Sequence, residues 1–296
     1  MPALSQIALS VSDLERSLDW YERVLGLRRS GSTRLFRGAL MERITGIPDP
    51  VSRCAWMVDS QHRFQLEMFE FERPLPRSYP DRGPGDIGYS QITAAVRDLD
   101  DAARAAGGGS VVADGGRDER RLRLEDPDGN AVVVSERDPR EPGRSRRRAG
   151  RGCAIRAVHA SVPDLGRSRR FFGATLGLRE ASADAAGPLE LGAGAERAAY
   201  WADDVLVDLV SVPGVARRPQ RYVLSDIGIL NIAFATGSGR AHRALCRRVA
   251  GAGYSLNSRP VRFGLGSIVY ATDDQGFSVE LVHLTGAAAR RLGYLA

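Results

Sequence analysis

The 296-residue chain contains no lysine, so arginine alone supplies its basic side chains, and it has only three cysteines and four histidines. The cysteines, Cys54, Cys153 and Cys246, are far apart and lack CxxC spacing, which argues against a disulfide framework and a thiolate metal site. No apolar run reaches the ~18 residues that a membrane-spanning helix needs. The N-terminus also lacks the features of a secretion signal. We therefore expect a cytoplasmic protein that has no membrane partner.

A formal net charge of +6 raises the question of nucleic-acid binding. The one dense basic cluster, RSRRR at 144–148, lies in a stretch that also contains proline and glycine, and no aromatic residues interleave with it. Such a cluster is typical of a solvated linker, whereas nucleic-acid surfaces combine basic patches with stacking aromatics. The sequence therefore predicts no nucleic-acid partner.

Internal repeats dominate the sequence. Residues 6–27, QIALSVSDLERSLDWYERVLGL, and residues 157–178, AVHASVPDLGRSRRFFGATLGL, share V-x-D-L, R-S, an aromatic pair and L-G-L without a gap. Weaker copies occupy residues 91–108 and 231–253. A period repeated in this way indicates one supersecondary unit used four times.

Each copy begins as an alternating strand and continues as a helix. In the two strongest copies the predicted caps are Asp13 or Ser12 for the first helix and Asp164 for the second. Gly26 and Gly177 are predicted to end those helices. Strand-like segments follow, and two pairs of them turn through DPDGN (126–130) and DDQGF (273–277). The predicted fold class is α+β, with four βαβββ modules.

One such module leaves an apolar face open, so two modules must pair to close a cup. We expect two cup-shaped half-barrel domains, at residues 1–138 and 154–296, joined by a basic linker at 139–153. The sequence leaves open whether the modules pair within one chain or across a homodimer.

This organisation resembles the vicinal oxygen chelate superfamily, which includes glyoxalase I, bleomycin-resistance proteins and extradiol dioxygenases. The four-module form looks most like the two-domain extradiol enzymes. Residues 262–280, RFGLGSIVYATDDQGFSVE, are similar to their signature R-H-G…Y-x-x-D-P-x-G-x-x-x-E. The positions that match are Tyr270, Asp273, Gly276 and Glu280, and those that differ are Phe263 for histidine and Asp274 for proline.

The resemblance implies metal ligands on the first and last strand of each module, with histidine early and glutamate late. The aligned positions of the first half are Gln6, Glu67, Gln91 and Val133, and those of the second are Ala157, Asp208, Asn231 and Glu280. None is histidine, so an iron site built from two imidazoles and a carboxylate is not expected.

We predict no cofactor, with one divalent cation as the alternative. A hard cation such as Mg²⁺ or Ca²⁺ could use either of two oxygen-donor sets. One is Asp208, Asn231 and Glu280, and the other is Gln6, Glu67 and Gln91.

His159 lies two residues after Ala157 on the same predicted strand, so both side chains point to one face, about 7 Å apart. The imidazole is either a core side chain bonded to the backbone or a general acid/base beside Glu280 or Asp208. Both carboxylates lie among apolar residues, in FSVELV and VLVDLV. A buried carboxylate without a partner is costly, so each is predicted to be protonated, paired or catalytic.

The candidate catalytic residues are therefore His159, Asp208 and Glu280. The candidate substrate-binding residues are Asn231, Arg262, Phe263 and Tyr270. A salt bridge to Arg262 is the structural alternative for Glu280. Of the remaining histidines, His242 is predicted on a helix surface, and His283 is predicted to point away from the cup because it is an odd step from Glu280.

Several classes of function fit these residues. The favoured hypothesis is a metal-independent enzyme of isomerase, cyclase or lyase type, acting on an aromatic or polyketide-like small molecule in one cup. One alternative is a binding or resistance protein that holds its ligand without catalysis. Another is a metal-dependent dioxygenase or glyoxalase-like enzyme.

Overall fold

The structure of the protein is a computed structural model. It describes residues 1–61, 64–79, 85–112, 120–136, 138, 153–182, 185, 187, 194–214, 223–263, 266–291 and 294. Most of the predicted linker, residues 139–152, lies outside the described residues. The domain boundaries at 138 and 154 therefore stay a prediction.

The first two repeats form two modules, each a strand, a helix and further strands. Module 1 contains β1 (Ala3–Ser10), α1 (Leu14–Leu25), β2 (Arg28–Arg37), α2 (Ala39–Thr45), β3 (Val51–Val58) and β4 (Gln65–Arg73). Module 2 contains β5 (Gly88–Ala95), α3 (Leu99–Ala106), β6 (Ser110–Val112), β7 (Arg121–Glu125) and β8 (Ala131–Ser135).

The other two repeats follow the same plan. Module 3 contains β9 (Ala154–Ser161), α4 (Leu165–Arg169), which continues as a π-helical turn (Arg170–Thr175), β10 (Arg179–Ala181), β11 (Glu196–Ala202) and β12 (Val205–Ser211). Module 4 contains β13 (Gly228–Ala235), α5 (Gly239–Gly251), β14 (Ser255–Leu256), β15 (Val261–Phe263), β16 (Gly266–Thr272) and β17 (Ser278–Leu284), followed by α6 (Gly286–Arg291).

The predicted fold class is confirmed: four α+β modules pair into two half-barrel sheets. The pairing differs from the expected one, because module 1 joins module 4 and module 2 joins module 3. The first sheet has the order β14-β16-β17-β13-β1-β4-β3-β2, and the second has the order β10-β11-β12-β9-β5-β8-β7-β6. The first strands meet antiparallel at each centre, β1 against β13 and β5 against β9, so all four modules are paired within one chain.

The helices begin and end where the sequence predicts. Asp13 accepts a hydrogen bond from the backbone N–H of Arg16 at the start of α1, and Asp164 does the same for α4. Gly26 ends α1 with φ +68°, a left-handed conformation that only glycine adopts without strain.

One hydrophobic core lies behind both sheets and contains the buried faces of the helices. It includes Ile7, Ile92, Val158 and Ile232 from the four central strands, all fully buried. Since successive strand residues face opposite ways, the alternate residues of these strands line the two concave faces. Within the described ranges, no helix is both long and apolar enough to cross a bilayer.

Candidate functional site

Each sheet has a concave face where the aligned ligand positions meet. We call the face that carries Gln6, Glu67, Asn231 and Glu280 cup A, and the face that carries Gln91, Val133, Ala157 and Asp208 cup B. Cup A belongs to the sheet of modules 1 and 4, and cup B to the sheet of modules 2 and 3.

The register of the first sheet puts the four cup A side chains on one face. Ala8 pairs with Glu67 on one side and with Asn231 on the other. Ala233 likewise pairs with Gln6 and with Glu280. Small alanines therefore lie between the polar side chains, whose exposed fractions are all 6% or less.

The two carboxylic acids of cup A have raised pKa values. Burial raises the pKa of Glu67 to about 7, although hydrogen bonds from the Trp56 indole (2.9 Å) and the Cys54 thiol (3.6 Å) favour its anion. Burial, and then repulsion from Glu67, raise the pKa of Glu280 well above its ordinary value. Because one group feels the charge of the other, the two titrate as a pair.

Two further polar side chains complete the environment of this pair. The Tyr270 hydroxyl hydrogen-bonds to Glu280 and favours its anion, without overcoming burial. Asn231 is fully buried, and neither its Oδ1 nor its Nδ2 has a hydrogen-bond partner of good geometry, although the amide lies close enough to Tyr270 to lower the pKa of that phenol. A buried amide without a well-formed hydrogen bond, next to two carboxylic acids that repel each other, costs folding free energy that a purely structural site would not require.

The donor set of cup A fits a hard divalent cation. Among the residues that the structure describes, no three His, Cys, Asp or Glu side chains are placed so that they could together hold a metal ion. Cup A instead offers two carboxylates and two amide oxygens, which are ligands that hard cations prefer. A bound cation would relieve the repulsion between Glu67 and Glu280 and give Asn231 a partner.

Apolar side chains from several elements cover cup A. Cys54, Trp56, Phe69, Phe71 and Leu230 form one cluster on the concave face. A cavity beside Tyr270, bounded by Met41 and Thr45 of α2, has a volume of about 10 Å³, which is on the scale of one water molecule. This cavity alone is too small to hold an organic substrate.

Cup B contains a hydrogen-bonded chain of polar side chains. Thr93 Oγ1 lies 2.7 Å from His159 Nε2, and His159 Nδ1 lies 2.5 Å from Asp208 Oδ2. The Arg197 guanidinium donates to both oxygens of Asp208, from Nε at 2.7 Å and from Nη2 at 2.9 Å. All four side chains are buried or nearly so.

This chain stabilises Asp208 as an anion. Burial opposes ionisation of Asp208, but His159 and Arg197 outweigh burial and lower its pKa below the ordinary value. The guanidinium of Arg197 thus gives Asp208 the positive charge that a buried carboxylate needs. Val133 and Ala157, the other positions of this cup, are buried and cannot donate a lone pair.

The structure divides the predicted catalytic residues between the cups. His159 and Asp208 meet in cup B, whereas Glu280 lies in cup A, so a single site of all three is not assembled. Both predicted cation sets are divided as well: Asp208 is separated from Asn231 and Glu280, and Gln91 from Gln6 and Glu67. The reason is the pairing of module 1 with module 4, which consecutive pairing did not anticipate.

The predicted substrate-binding residues have different positions. Asn231 and Tyr270 lie in cup A beside Glu280. Arg262 lies on the other face of the sheet. It pairs with Ser267, and Ser267 pairs with His283, whose side chain faces away from cup A. The predicted salt bridge from Arg262 to Glu280 is therefore wrong, and the side chain of Phe263 lies outside the described residues.

The structure also places the other two histidines among the described residues. His283 points away from cup A, as predicted, towards α5. His242 is 1% exposed, so its prediction as a surface residue is wrong. The signal was available, because His242, Cys246 and Val249 follow the spacing of the buried face of α5.

Several residues of the cups were missed by the sequence reasoning. Trp56 donates to Glu67 because it is the direct cross-strand partner of that residue. Arg197 reaches Asp208 as a diagonal neighbour, since Ala199 is the residue directly opposite. Thr93 reaches His159 from the neighbouring strand. Only the strand register could identify these contacts.

Comparisons with known proteins agree with this architecture. The sequence profile of the Glyoxalase/Bleomycin resistance protein/Dioxygenase superfamily matches residues 3–134. No curated protein matches the sequence.

Two solved structures share the whole fold. Glyoxalase I from Zea mays has 17% sequence identity and a TM-score of 0.65, over 96% of this chain and 92% of that chain. A putative dioxygenase from Bacillus subtilis subsp. subtilis str. 168 has 14% identity and a TM-score of 0.65, over 95% of this chain and 84% of that chain. At these identities the likeness concerns the fold. The match to this superfamily therefore covers residues 3–134, and the likeness of the whole chain to these two solved structures is one of fold.

Proposed function

We propose that the chain is an enzyme that moves a proton on a small organic substrate, in an isomerase- or lyase-type reaction, with cup A as its active site. The observation that carries the proposal is the pair Glu67 and Glu280, two buried carboxylic acids whose pKa values are both raised. Enzymes tune carboxylic acids towards neutral pH so that one group can both take and return a proton.

The hydrogen bonds of the pair support a division of roles. Glu67 accepts from Trp56 and Cys54, which favours its anion, so Glu67 is the base that removes a proton from carbon. Glu280 feels the charge of Glu67 and holds its proton more tightly, so Glu280 is the acid. Tyr270 orients Glu280 through its hydroxyl.

A divalent cation fits this site, with Gln6, Glu67, Asn231 and Glu280 as the residues that would hold it. When bound, such a cation supplies electrophilic polarisation of a substrate oxygen. The aromatic wall of Phe69, Phe71 and Tyr270 supports a substrate with an apolar or aromatic group, since it offers flat apolar surface next to the acids. Closure of α2 over the cup would exclude water from the proton transfer.

Deuterium incorporation tests the proposal without knowledge of the natural substrate. The protein is incubated in D₂O with a panel of aromatic and aliphatic ketones and hydroxyketones, with and without added Mg²⁺, Mn²⁺ or Zn²⁺, and exchange at carbon is followed by NMR. Glu67→Gln and Glu280→Gln should each reduce exchange by ~10²–10⁴-fold. Glu72→Gln, an exposed carboxylate on the same strand as Glu67, is the matched control and should leave exchange unchanged.

Two outcomes contradict the proposal. Equal exchange in wild type and in both cup A variants would place the chemistry elsewhere, and His159→Asn then tests cup B. A ligand that binds tightly but returns without deuterium under every condition would favour the binding or resistance protein instead.

A further inference from the structure

A groove runs along the outer side of module 4, on the face of the sheet opposite to cup A. Its volume is about 580 Å³, within the range of small-molecule sites. One wall is α5, which lines the groove from Gly239 to Ala250, a distance of roughly 16 Å at 1.5 Å per residue. The residues that carry the argument are His242, Arg243, Arg247, Arg262, Ser267 and His283, and we call the cavity the α5 groove.

Positive charge converges on the α5 groove from both walls. Arg243 and Arg247 are one turn apart on α5, and Arg262 faces them from β15. All three are exposed, and none forms an ion pair within the part of the chain that the structure describes. None of the described residues that line the groove is acidic. Several other arginines of the described residues are matched by carboxylates, as in the pairs of Arg29 with Glu15 and Arg53 with Glu70.

His242 provides an independent observation at the base of the groove. Its ring is 1% exposed, yet its Nδ1 has no hydrogen-bond partner. Burial, followed by repulsion from His283 and Arg243, lowers the pKa of His242 to about 4, so the ring is neutral near pH 7.

Among the described residues, His242 has one neighbouring side chain within hydrogen-bond range, the thiol of Cys246. Burial raises the pKa of Cys246 to about 11, so its thiol is protonated, and the sulfur lies 3.7 Å from His242 Nε2. With the thiol as the donor to Nε2, the ring proton is on Nδ1. A buried N–H without an acceptor costs free energy.

We propose that the α5 groove binds a small organic anion through a phosphate or carboxylate group. Arg243 and Arg262 would hold the oxyanion from opposite walls, above the neutral ring of His242. Arginine suits this role because its guanidinium presents paired donors to such groups. The N-terminus of α5 at Gly239, which also lines the groove, adds a favourable field for negative charge.

The site is distinct from cup A. His283, which lines the groove, is an odd number of residues from Glu280 on β17, so the two side chains lie on opposite faces of the sheet. Binding in the groove therefore does not depend on the function proposed for cup A.

Calorimetric titration tests the proposal with three probes at constant ionic strength: inorganic phosphate, citrate and adenosine monophosphate. We expect at least one probe to bind, and Arg243→Ala and Arg262→Ala each to weaken it about tenfold or more. Arg240→Ala removes an exposed arginine of the same helix that does not line the groove, and it should leave the affinity within about twofold. The variant that combines Glu67→Gln with Glu280→Gln should bind as the wild type does.

Histidine NMR supplies a second readout that unspecific charge would not change. A bound oxyanion should raise the pKa of His242 from about 4 towards its ordinary value, because it stabilises the imidazolium. The proposal is overturned if none of the probes binds below about 10 mM. It is also overturned if Arg240→Ala weakens binding as much as Arg243→Ala does, or if the His242 resonance titrates identically with and without probe. Preference for phosphate over citrate would identify the class of ligand.

Discussion

The acid pair of cup A should make the stability of the metal-free protein fall as pH rises. The pKa of Glu67 is about 7 in the folded protein and ~4.5 in the unfolded chain. Between these values the folded state binds more protons than the unfolded state, so the free energy of unfolding decreases with increasing pH. Below ~4.5 the carboxyl group is protonated in both states and contributes no difference. Above about 7 the full penalty is present.

The magnitude follows from the pKa difference. At ~1.4 kcal/mol for each pKa unit, the rise from 4.5 to about 7 corresponds to roughly 3.5 kcal/mol in total, of which roughly 2.5 kcal/mol is lost between pH 5 and pH 8. Glu67→Gln removes this titration and keeps an acceptor for the Trp56 indole. At pH 8 in EDTA the variant should therefore unfold roughly 5–10 °C above the wild type, and at pH 4.5 the two should nearly coincide.

The assay is thermal unfolding followed by circular dichroism from pH 4.5 to 8.5. The informative quantity is the difference between wild type and Glu67→Gln, because other buried acids with raised pKa values, such as Asp126, contribute equally to both. Glu72→Gln should show no such pH-dependent difference. If the difference between wild type and Glu67→Gln is constant across the range, Glu67 does not titrate there and the account of cup A is wrong.

Three further predictions concern other parts of the molecule. Addition of Mg²⁺, Mn²⁺ or Zn²⁺ at pH 8, at a hundred times Kd, should raise the free energy of unfolding of the wild type by ~2.7 kcal/mol. The variant with both cup A glutamates replaced by glutamine should not be stabilised. Equal stabilisation of both proteins would show that the cation binds elsewhere. Arg197→Met should lower the free energy of unfolding, measured in urea, by ~3–5 kcal/mol because it leaves Asp208 with an uncompensated buried charge. Adding Asp208→Asn to this variant should recover part of that loss. An Arg197→Met variant as stable as the wild type would contradict the role of Arg197 in cup B. Asn257→Ala removes the amide hydrogen bond to the Thr45 carbonyl (3.1 Å) that connects the end of α2 to module 4. Hydrogen exchange in Ala39–Thr45 should therefore become faster, while exchange in α1 is unchanged. Unaltered exchange in α2 would mean that other contacts hold this helix in place.

The fold of each module could be predicted from the sequence because local signals carry it. The repeated V-x-D-L pattern places a strand, a capping Asp13 or Asp164 and a helix in a fixed order, and these depend on neighbouring residues alone. The turn at DPDGN is likewise local. Asp126 accepts from the backbone N–H groups of residues 128 and 130 within the turn itself.

The pairing of modules could not be predicted in this way. All four first strands have the same alternating apolar pattern, so the pattern of β1 is compatible with the edge of β5 or of β13. The choice of β13 depends on contacts between residues more than 200 positions apart, such as Ala3 with Ala235. The ligand positions were identified one by one, but their grouping into sites required this choice.

The electrostatic partners of the buried carboxylates could not be identified from the sequence either. The sequence shows that Glu280 and Asp208 are embedded among apolar residues, and therefore that each needs a partner. It does not show that Asp208 is paired with a guanidinium while Glu280 faces another carboxylic acid. That difference arises from the register of β11 and β17, and it separates a satisfied network from an unsatisfied one.

The order in which the chain is made has a consequence for the pairing of β1 with β13. At a synthesis rate of ~5–20 residues per second, completed module 1 waits roughly 8–30 s before β13 leaves the ribosome. During that time the hydrogen-bonding edge of β1 has no partner within its own chain. Modules 2 and 3 are consecutive, so β5 meets β9 much sooner. A nascent module 1 is therefore the part of the chain most open to pairing with β13 of another molecule, which would give a dimer with exchanged modules. High expression rates should favour such dimers over correctly closed monomers.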